Sequence, residues 1–206
     1  DAMPVQLLAR VGGAWFERGV AWHDGQLAWA DRPTELRPPL AVPGEHDYLT
    51  EIHPQAEAFV RTLADRLHRG AAFFLDYGFP EAEYFHPQRH MGTLICHRAH
   101  QSDSNPLVDL GRKDITAHVN FTGVALAAQD AGMAVLGYTS QARFLLNAGL
   151  LALAQSADAR QNAMMQKLVN EHEMGELFKV MALAPASSAD GWVPLGFAAG
   201  DRTHRL

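Results

Sequence analysis

The chain has 206 residues, of which 48% are hydrophobic and 19% are charged, and its formal net charge is −6. This length and composition are ordinary for one globular domain with a sizeable core. No run of Lys or Arg exceeds two residues, which argues against binding to a nucleic-acid backbone. No apolar stretch reaches the roughly 18–20 residues that a membrane-spanning helix needs. Cys96 is the only cysteine, so an intrachain disulfide is excluded and a reducing compartment is favoured.

The first part of the chain, residues 5–31, predicts a β-hairpin. Trp15, Val20 and Trp22 are interleaved with polar residues, and Asp24-Gly25 follows them. This dipeptide is a favoured two-residue hairpin turn, because both of its positions take a positive φ. Four prolines lie between residues 31 and 50, which indicates a loop or an extended arm.

Helices and strands alternate in the rest of the chain. A helix is predicted at 54–69, and an apolar strand at 71–75, buried on both faces, is predicted to end in Asp76-Tyr77-Gly78. After an aperiodic segment at 79–113, helices are predicted at 121–131, 141–148 and 150–170, and strands at 133–138 and 177–183. This alternation predicts an α/β sheet, whose ligands bind beyond the carboxyl ends of the strands. Asp76 lies at such an end, where it either caps the turn or faces the ligand.

Five histidines crowd into the aperiodic segment and just after it: His86, His90, His97, His100 and His118. His86 and His90 have the spacing of one helix face, but Pro87 lies between them and the zinc motif H-E-x-x-H is absent. Solvated loop histidines are one interpretation, and a histidine that contacts substrate or accepts its proton is another. No G-x-G-x-x-G or Walker A motif occurs, so no phosphate-binding loop is visible.

Several short strings match those of one known family in order and spacing. They are D-A-M-P-V at 1–5, E-I-H-P at 51–54, D-Y-G at 76–78, R-H-M-G-T-L with C-H at 89–97, D-I-T-A-H-V-N-F at 114–121, and Q-A-R-F-L-L-N-A-G at 141–149. Through them the chain resembles the MidA family from residue 1 to about 184. That family includes the mitochondrial arginine methyltransferase of complex I assembly. Asn120 stands where the family usually has Asp, and the two residues are comparable helix caps.

The resemblance implies the C-terminal half of a class I, Rossmann-like methyltransferase that depends on S-adenosylmethionine. Its seven-stranded sheet has one antiparallel strand, the last in the sequence. The chain is then a single incomplete domain over 1–206, with 5–31 as an inserted hairpin, 51–184 as strands five to seven with their helices, and 79–113 as a candidate lid. The cofactor loop belongs to the missing half, so the fragment alone is expected to be inactive.

The resemblance also implies a cofactor, a substrate and a set of site residues. The cofactor is S-adenosylmethionine, and the substrate is a protein arginine, with a respiratory complex I subunit as the candidate partner. The expected compartment is the bacterial cytoplasm or the mitochondrial matrix, and the oligomeric state is left open. The predicted roles are catalytic for Asp76, Tyr77 and His97, cofactor-binding for Asp1 and Pro4, and substrate-binding for Arg89, His118 and Asn120, with no metal ligand.

Two rival functions stay open. The first is a non-enzymatic assembly or interaction module that docks through Trp15, Trp22 and Trp29, although the same tryptophans also suit a hairpin core. The second is a metal-dependent hydrolase that uses the histidine cluster. Cys96 is not favoured as a nucleophile, because the adjacent His97 points to the opposite side of a strand.

Overall fold

The computed structural model describes residues 1–99 and 101–206, so His100 of the predicted histidine cluster lies outside the described residues. The chain forms two compact units. Unit 1 comprises Asp1–Ala56 and Glu81–Asn120, and unit 2 comprises Glu57–Pro80 and Phe121–Leu206. In chain order the elements are β1 (Gln6–Val11), β2 (Ala14–His23), β3 (Gln26–Pro33), β4 (Tyr48–Ile52), α1 (Pro54–Arg66), β5 (Ala72–Phe79), α2 (Glu81–Tyr84), β6 (Ile95–Arg98), β7 (Gln101–Asp103), β8 (Asp114–Thr116), β9 (Val119–Asn120), α3 (Phe121–Asp130), β10 (Met133–Ser140), α4 (Gln141–Asn147), α5 (Leu150–Ala154), α6 (Ala159–Val169), α7 (Met174–Leu177) and β11 (Phe178–Pro185).

Unit 1 is built around an antiparallel sheet in the order β3-β2-β1-β4. The turn between β2 and β3 is formed by Asp24 and Gly25, whose φ angles are 48° and 80°, as a two-residue hairpin turn requires. The strand β4 begins inside the segment 31–50, for which the sequence indicates a loop or an extended arm, and extends to Ile52. Its residues Thr50 and Glu51 are polar and yet buried. The strand therefore lacks the alternation of apolar and polar residues by which a strand is predicted.

The segment 79–113 contains regular structure and is therefore not the uninterrupted loop that the sequence suggests. The short helix α2 lies near its start, and the small sheet β7-β6-β8 begins inside it. Cys96 in β6 is fully buried and has a free thiol, which agrees with its interpretation as a small hydrophobe. The lid role of this segment stays a prediction.

Unit 2 contains a sheet in which β11 lies between β10 and β5. Because β11 is antiparallel to both neighbours, β5 and β10 run in the same direction. The last strand of the sequence is therefore the antiparallel one. All of β11 between its terminal residues is buried, and Val180 and Ala182 form a core cluster with Phe197. The predicted mixed α/β class is confirmed.

The helices of unit 2 begin and end at identifiable caps. The helix α3 is followed by Gly132, whose φ is +81°, and α4 begins after Ser140, whose side chain accepts the amide of Arg143 at 3.4 Å. The single helix predicted at 150–170 is wrong, because the structure has α5 and α6 with a break between them. Asp158 causes the new start: it forms a reciprocal capping box with Gln161, with distances of 2.8 and 2.9 Å.

The strand β5 differs from its prediction in burial. Phe73 and Leu75 point to one face of the strand and stay 43% and 52% exposed. The described residues therefore do not cover this face, and the expectation of burial on both faces is wrong for this chain. Among the described residues, no helix combines the length and apolar character needed to cross a bilayer.

Candidate functional site

A buried carboxylate, Glu51 on β4, lies at the centre of a hydrogen-bond network in unit 1. It is fully buried. Its Oε1 accepts the backbone amides of Thr93 at 2.8 Å and Leu94 at 3.0 Å. Its Oε2 accepts the hydroxyls of Tyr84 at 2.9 Å and Thr93 at 3.1 Å. These four donors match the lone-pair positions of an ionised carboxylate, which can only accept, so the buried charge of Glu51 is satisfied.

The hydroxyl of Tyr84 joins this carboxylate to an imidazole. Tyr84 lies at the end of α2, and its hydroxyl oxygen is 3.1 Å from Nε2 of His53. The two rings pack edge to face, with their centroids 5.3 Å apart. Burial, and then the charge of Glu51, raise the pKa of Tyr84 well above its usual value. The hydroxyl therefore keeps its proton and donates a hydrogen bond to Glu51.

His53 is a neutral imidazole at physiological pH. Burial is the main cause that lowers the pKa of His53 to about 4. A neutral imidazole has one nitrogen that donates a hydrogen bond and one that accepts. His53 is thus a polar group at this site that carries no charge.

The segment Thr116–Asn120 is held between this network and the start of the chain. The amide of His118 donates to Oγ1 of Thr93 at 3.0 Å, and the amide of Ala117 donates to the carbonyl oxygen of Asp1 at 3.0 Å. The structure therefore brings Asp1, a predicted cofactor residue, next to His118, a predicted substrate residue. Both are half-buried.

The other predicted substrate residues of unit 1 make structural contacts. Asn120 is buried, and its Nδ2 donates to Oε1 of Glu81 at 3.4 Å. The Nε of Arg89 donates to the carbonyl oxygen of Glu83 at 2.9 Å, which fastens the turn after α2. Pro4 is exposed.

His97, a predicted catalytic residue, is not brought into the network. It lies on β6, where it is exposed and pairs with Ser102 and Asp114 on the neighbouring strands. Across residues 1–99 and 101–206, no hydrogen bond links His97 to Glu51, Tyr84 or Thr93. A catalytic role for His97 gains no support from this geometry.

The predicted catalytic residues Asp76 and Tyr77 belong to unit 2. They lie inside β5, opposite Lys179 and Phe178 of β11, because the strand continues to Phe79 instead of ending before Asp76. The ring of Tyr77 packs edge to face against Phe178, with the centroids 5.4 Å apart. The carboxylate of Asp76 accepts the amide of Tyr77 at 2.9 Å.

The histidine cluster does not assemble a metal site within the described part of the chain, where no group of three or more His, Cys, Asp or Glu could hold an ion. The Nδ1 of His86 accepts the amide of Gln88 at 3.3 Å, and His90 packs edge-on against His46 with a centroid distance of 6.1 Å. The hydrolase alternative therefore has no structural support among these residues.

Sequence reasoning missed the residues that form the network. Glu51 and His53 lie in the string E-I-H-P, and Thr93 lies in the string R-H-M-G-T-L. These strings indicated a family but no role for the residues within them. Tyr84 lies in the segment 79–113 and gave no signal. Only the fold brings residues 51, 84 and 93 together.

The comparisons with known proteins give this geometry a context. Residues 1–139 match the family described as "Putative S-adenosyl-L-methionine-dependent methyltransferase", and the chain belongs to that family. No match was found among the curated proteins.

Two solved structures from Burkholderia thailandensis are similar to all of this chain at 46% sequence identity. One is an uncharacterized protein of the COG1565 superfamily, with a TM-score of 0.92. The other is a member of the same superfamily, described as a "likely methyl transferase" and bound to S-adenosyl-homocysteine, with a TM-score of 0.91. The chain spans 57% and 56% of the length of these two proteins.

Proposed function

We propose that this chain is the C-terminal part of an S-adenosylmethionine-dependent methyltransferase of the MidA type. The observation that carries the proposal is the 46% identity, over the whole chain, to a protein that was crystallised with S-adenosyl-homocysteine. That molecule is what remains of the methyl donor after transfer. The match over only 56% of that protein supports the view that this chain supplies part of the enzyme.

The sheet of unit 2 supports a Rossmann-like assignment. The MidA resemblance implies that the last strand alone is antiparallel, and β11 is antiparallel to both β5 and β10. The apolar side chains of Phe73 and Leu75 on β5 are exposed, which is unusual for a strand of this composition. We propose that residues outside this chain cover that face. We propose that the segment 5–31, which forms β1, β2 and most of β3, is the inserted element.

The residues of this chain do not by themselves fit the cofactor. S-adenosylmethionine supplies an electrophilic methyl group. Binding it requires close backbone approach at a glycine-rich loop and a carboxylate for the ribose, by analogy with dinucleotide sites. The sequence has no such loop. We therefore propose that Asp1 and Pro4 contribute one edge of the cofactor site and that the remainder lies outside this chain.

The methyl acceptor that we propose is an arginine side chain of a protein, with a respiratory complex I subunit as the candidate. The MidA resemblance supports this substrate class. A guanidinium is recognised best by carboxylates and by neutral hydrogen-bond acceptors. Asp1 and the neutral His53, both in unit 1, are groups of this chemistry, and we propose that His118 and Asn120 of the same unit shape the acceptor site. Asp76 and Tyr77 in unit 2 stay predicted catalytic residues.

Calorimetry with S-adenosyl-homocysteine tests whether the cofactor site needs residues outside this chain. The 206-residue chain is compared with a chain that includes any residues preceding it in its gene. We expect binding by the longer chain and none by the shorter one. Tight binding by the 206-residue chain alone would overturn the proposed missing half.

The substrate is tested by incubating the longer chain with radiolabelled S-adenosylmethionine and purified complex I subunits. Mass spectrometry then locates the transferred methyl group. Methylated arginine in one subunit is the expected result. Methylation on another residue type would refute the arginine assignment.

An interaction module is a second candidate, and the β2–β3 hairpin favours it. Trp22 and Trp29 are 71% and 40% exposed. Val20 lies opposite Trp29, and Trp22 lies opposite Leu27, so these side chains share one face. Trp15, in contrast, is half-buried and packs edge to face against Tyr48. Loss of partner binding in the double variant Trp22→Ser/Trp29→Ser, with no methyl transfer detected for the longer chain of the calorimetry test, would favour this candidate over the enzyme.

A further inference from the structure

We propose that Glu51 and Tyr84 are positioning residues that hold His53 as its Nε2–H tautomer, so that Nδ1 of this imidazole is the hydrogen-bond acceptor offered to the methyl acceptor. The tautomer follows from the geometry of unit 1 alone. Only the last clause, on the methyl acceptor, rests on the proposed function.

The direction of the hydrogen bonds fixes the tautomer. Ionised Glu51 can only accept, and its Oε2 accepts the hydroxyl of Tyr84 at 2.9 Å. Oγ1 of Thr93 lies 3.1 Å from the same hydroxyl, and either of the two groups can donate to the other. Whether the single proton of Tyr84 is directed to Glu51 or to Thr93, its oxygen accepts from Nε2 of His53 at 3.1 Å. Nε2 therefore carries the imidazole proton, and the lone pair of a neutral ring is on Nδ1.

In the opposite direction Tyr84 would donate to His53, and its oxygen would then lie 2.9 Å from Oε2 of Glu51 with no proton between them unless Glu51 were protonated. The two backbone amides oppose that protonation. Oε1 faces the N–H groups of Thr93 and Leu94 at 2.8 and 3.0 Å, which can only donate. Charge-assisted bonds of this kind are the strong ones, and they stabilise the carboxylate form. The charge of Glu51 thus sets the direction of the chain of hydrogen bonds that ends at His53.

The same network anchors the residues assigned to the acceptor site. Oγ1 of Thr93 donates to Glu51 and accepts the amide of His118. The next amide along, that of Ala117, is bound to Asp1. His53 is therefore held by the network that also fixes the backbone of His118.

The chemistry of a neutral acceptor suits the proposed substrate. An amine or guanidinium presents N–H groups that need a hydrogen-bond acceptor. A neutral imidazole can accept such a bond, whereas a protonated imidazole would repel a positively charged substrate. The low pKa of His53, about 4, keeps the ring neutral and Nδ1 available. Glu51 and Tyr84 have no contact with substrate in this scheme and act only through His53.

Nitrogen-15 NMR of the histidine side chains distinguishes the two neutral tautomers and tests the proposal directly. In the unaltered protein we expect the Nε2–H form of His53. In Glu51→Gln the amide group can donate to Tyr84, which reverses the chain, so the Nδ1–H form should increase. In Tyr84→Phe the preference should disappear. The matched control is Glu45→Gln, which removes an exposed carboxylate of the same unit and should leave the tautomer unchanged.

Several outcomes would overturn the proposal. An Nδ1–H form in the unaltered protein contradicts it outright, and so does a folded Glu51→Gln variant with an unchanged tautomer. If Glu51→Gln fails to fold, Tyr84→Phe decides the question, because it changes no charge and removes only the connecting hydroxyl.

A transfer assay separates this proposal from the proposed function. The assay uses the longer chain of the calorimetry test, in which Tyr84→Phe should raise the KM for the methyl acceptor several-fold while the affinity for S-adenosyl-homocysteine stays unchanged. If the tautomers behave as expected but the longer chain transfers no methyl group, the proposed function and its acceptor clause fail and the positioning of His53 stands. If transfer occurs and the acceptor KM of Tyr84→Phe is unchanged, the acceptor clause fails.

Discussion

Gly92 and Glu51 approach each other so closely that no side chain fits between them. A Cβ atom at Gly92 would lie 2.6 Å from Oε1 of Glu51, the oxygen that accepts the amides of Thr93 and Leu94. The φ of Gly92 is +72°, a conformation that favours glycine. The glycine is therefore required twice, for its backbone conformation and for the space beside a buried carboxylate.

Gly92→Ala should lower the free energy of unfolding by about 3 kcal/mol. The left-handed conformation accounts for ~1 kcal/mol of this, and displacement of the Glu51 carboxylate from its donors accounts for the rest. Urea denaturation measures the change. Gly12→Ala is the matched control, since Gly12 has φ +56° but open space around it, and it should cost only ~1 kcal/mol. Equal losses in the two variants would show that the carboxylate is not displaced.

The stability of the protein should fall as the pH is lowered through the range set by His53. Its pKa is about 4 in the folded protein and 6.5 in the reference state, so between these values the unfolded chain binds the proton and the folded protein does not. The contribution of His53 to the free energy of unfolding is fully present above pH 6.5 and is lost as the pH falls from 6.5 to about 4. The difference corresponds to about 3 kcal/mol.

Urea denaturation at several pH values measures this dependence. His53→Gln keeps a donor to Tyr84 and should flatten the curve in that range. His23→Gln, at an exposed position of the hairpin, should leave the curve unchanged. If the free energy of unfolding of His53→Gln still falls steeply with pH in this range, groups other than His53 cause the dependence.

Arg10 should contribute strongly to the stability of unit 1. Its Nε and Nη1 donate to the carbonyl oxygens of His46 and Val42 at 3.2 and 2.8 Å, which fastens the long segment before β4. The guanidinium also lies 5.6 Å from the ring centroid of Trp15, within cation–π range. Arg10→Ala should cost about 3 kcal/mol, because it removes a buried side chain together with the donor to the carbonyl oxygen of Val42 in a buried hydrogen bond.

The control for Arg10 is another arginine of the same sheet. Arg32 pairs with Glu17 at 2.6 Å, but its side chain is 78% exposed, so Arg32→Ala should cost less than ~1 kcal/mol. Thermal denaturation compares the two variants. A loss for Arg32→Ala as large as that for Arg10→Ala would contradict the role given to burial.

Phe197 should contribute strongly to the stability of unit 2. It is buried against Val180 and Ala182 of β11, and its ring centroid lies 5.2 Å from that of Phe144. Phe197→Ala should lower the free energy of unfolding by about 4 kcal/mol, since it leaves a cavity in this core. Phe59→Ala removes the same group from a ring that is about half exposed, and it should cost about 1 kcal/mol. Comparable losses would place Phe197 outside the core.

The elements that the sequence predicts well are those whose signal is local. The turn at Asp24-Gly25 needs only two residues with positive φ, and α3 needs only its apolar residues and the glycine that follows. The strand β4 was missed for a different reason. Its buried residues Thr50 and Glu51 are polar, and they are compatible with a core only because residues far along the chain satisfy them.

The site was predicted less completely than the fold. Asp1 and His118 lie close together, and no pattern in the sequence predicted that proximity. Asp76 and Tyr77 look like residues beyond a strand because they are polar, whereas β11 extends the pairing to include them. The contacts of Glu51 with Tyr84 and Thr93 join residues 33 and 42 positions apart, and no local pattern encodes such a convergence.

The central position of β11 has a consequence for how unit 2 is made during translation. In the described sheet β10 has no strand neighbour other than β11, and β11 is synthesised after every other strand. While residues 178–185 are still inside the ribosome, the hydrogen-bonding edge of β10 is unsatisfied and the residues that β11 later covers are open to proteases and chaperones. Nascent chains stalled before residue 178 should therefore be cleaved readily in this region, and chains in which residues 178–185 have left the ribosome should resist cleavage.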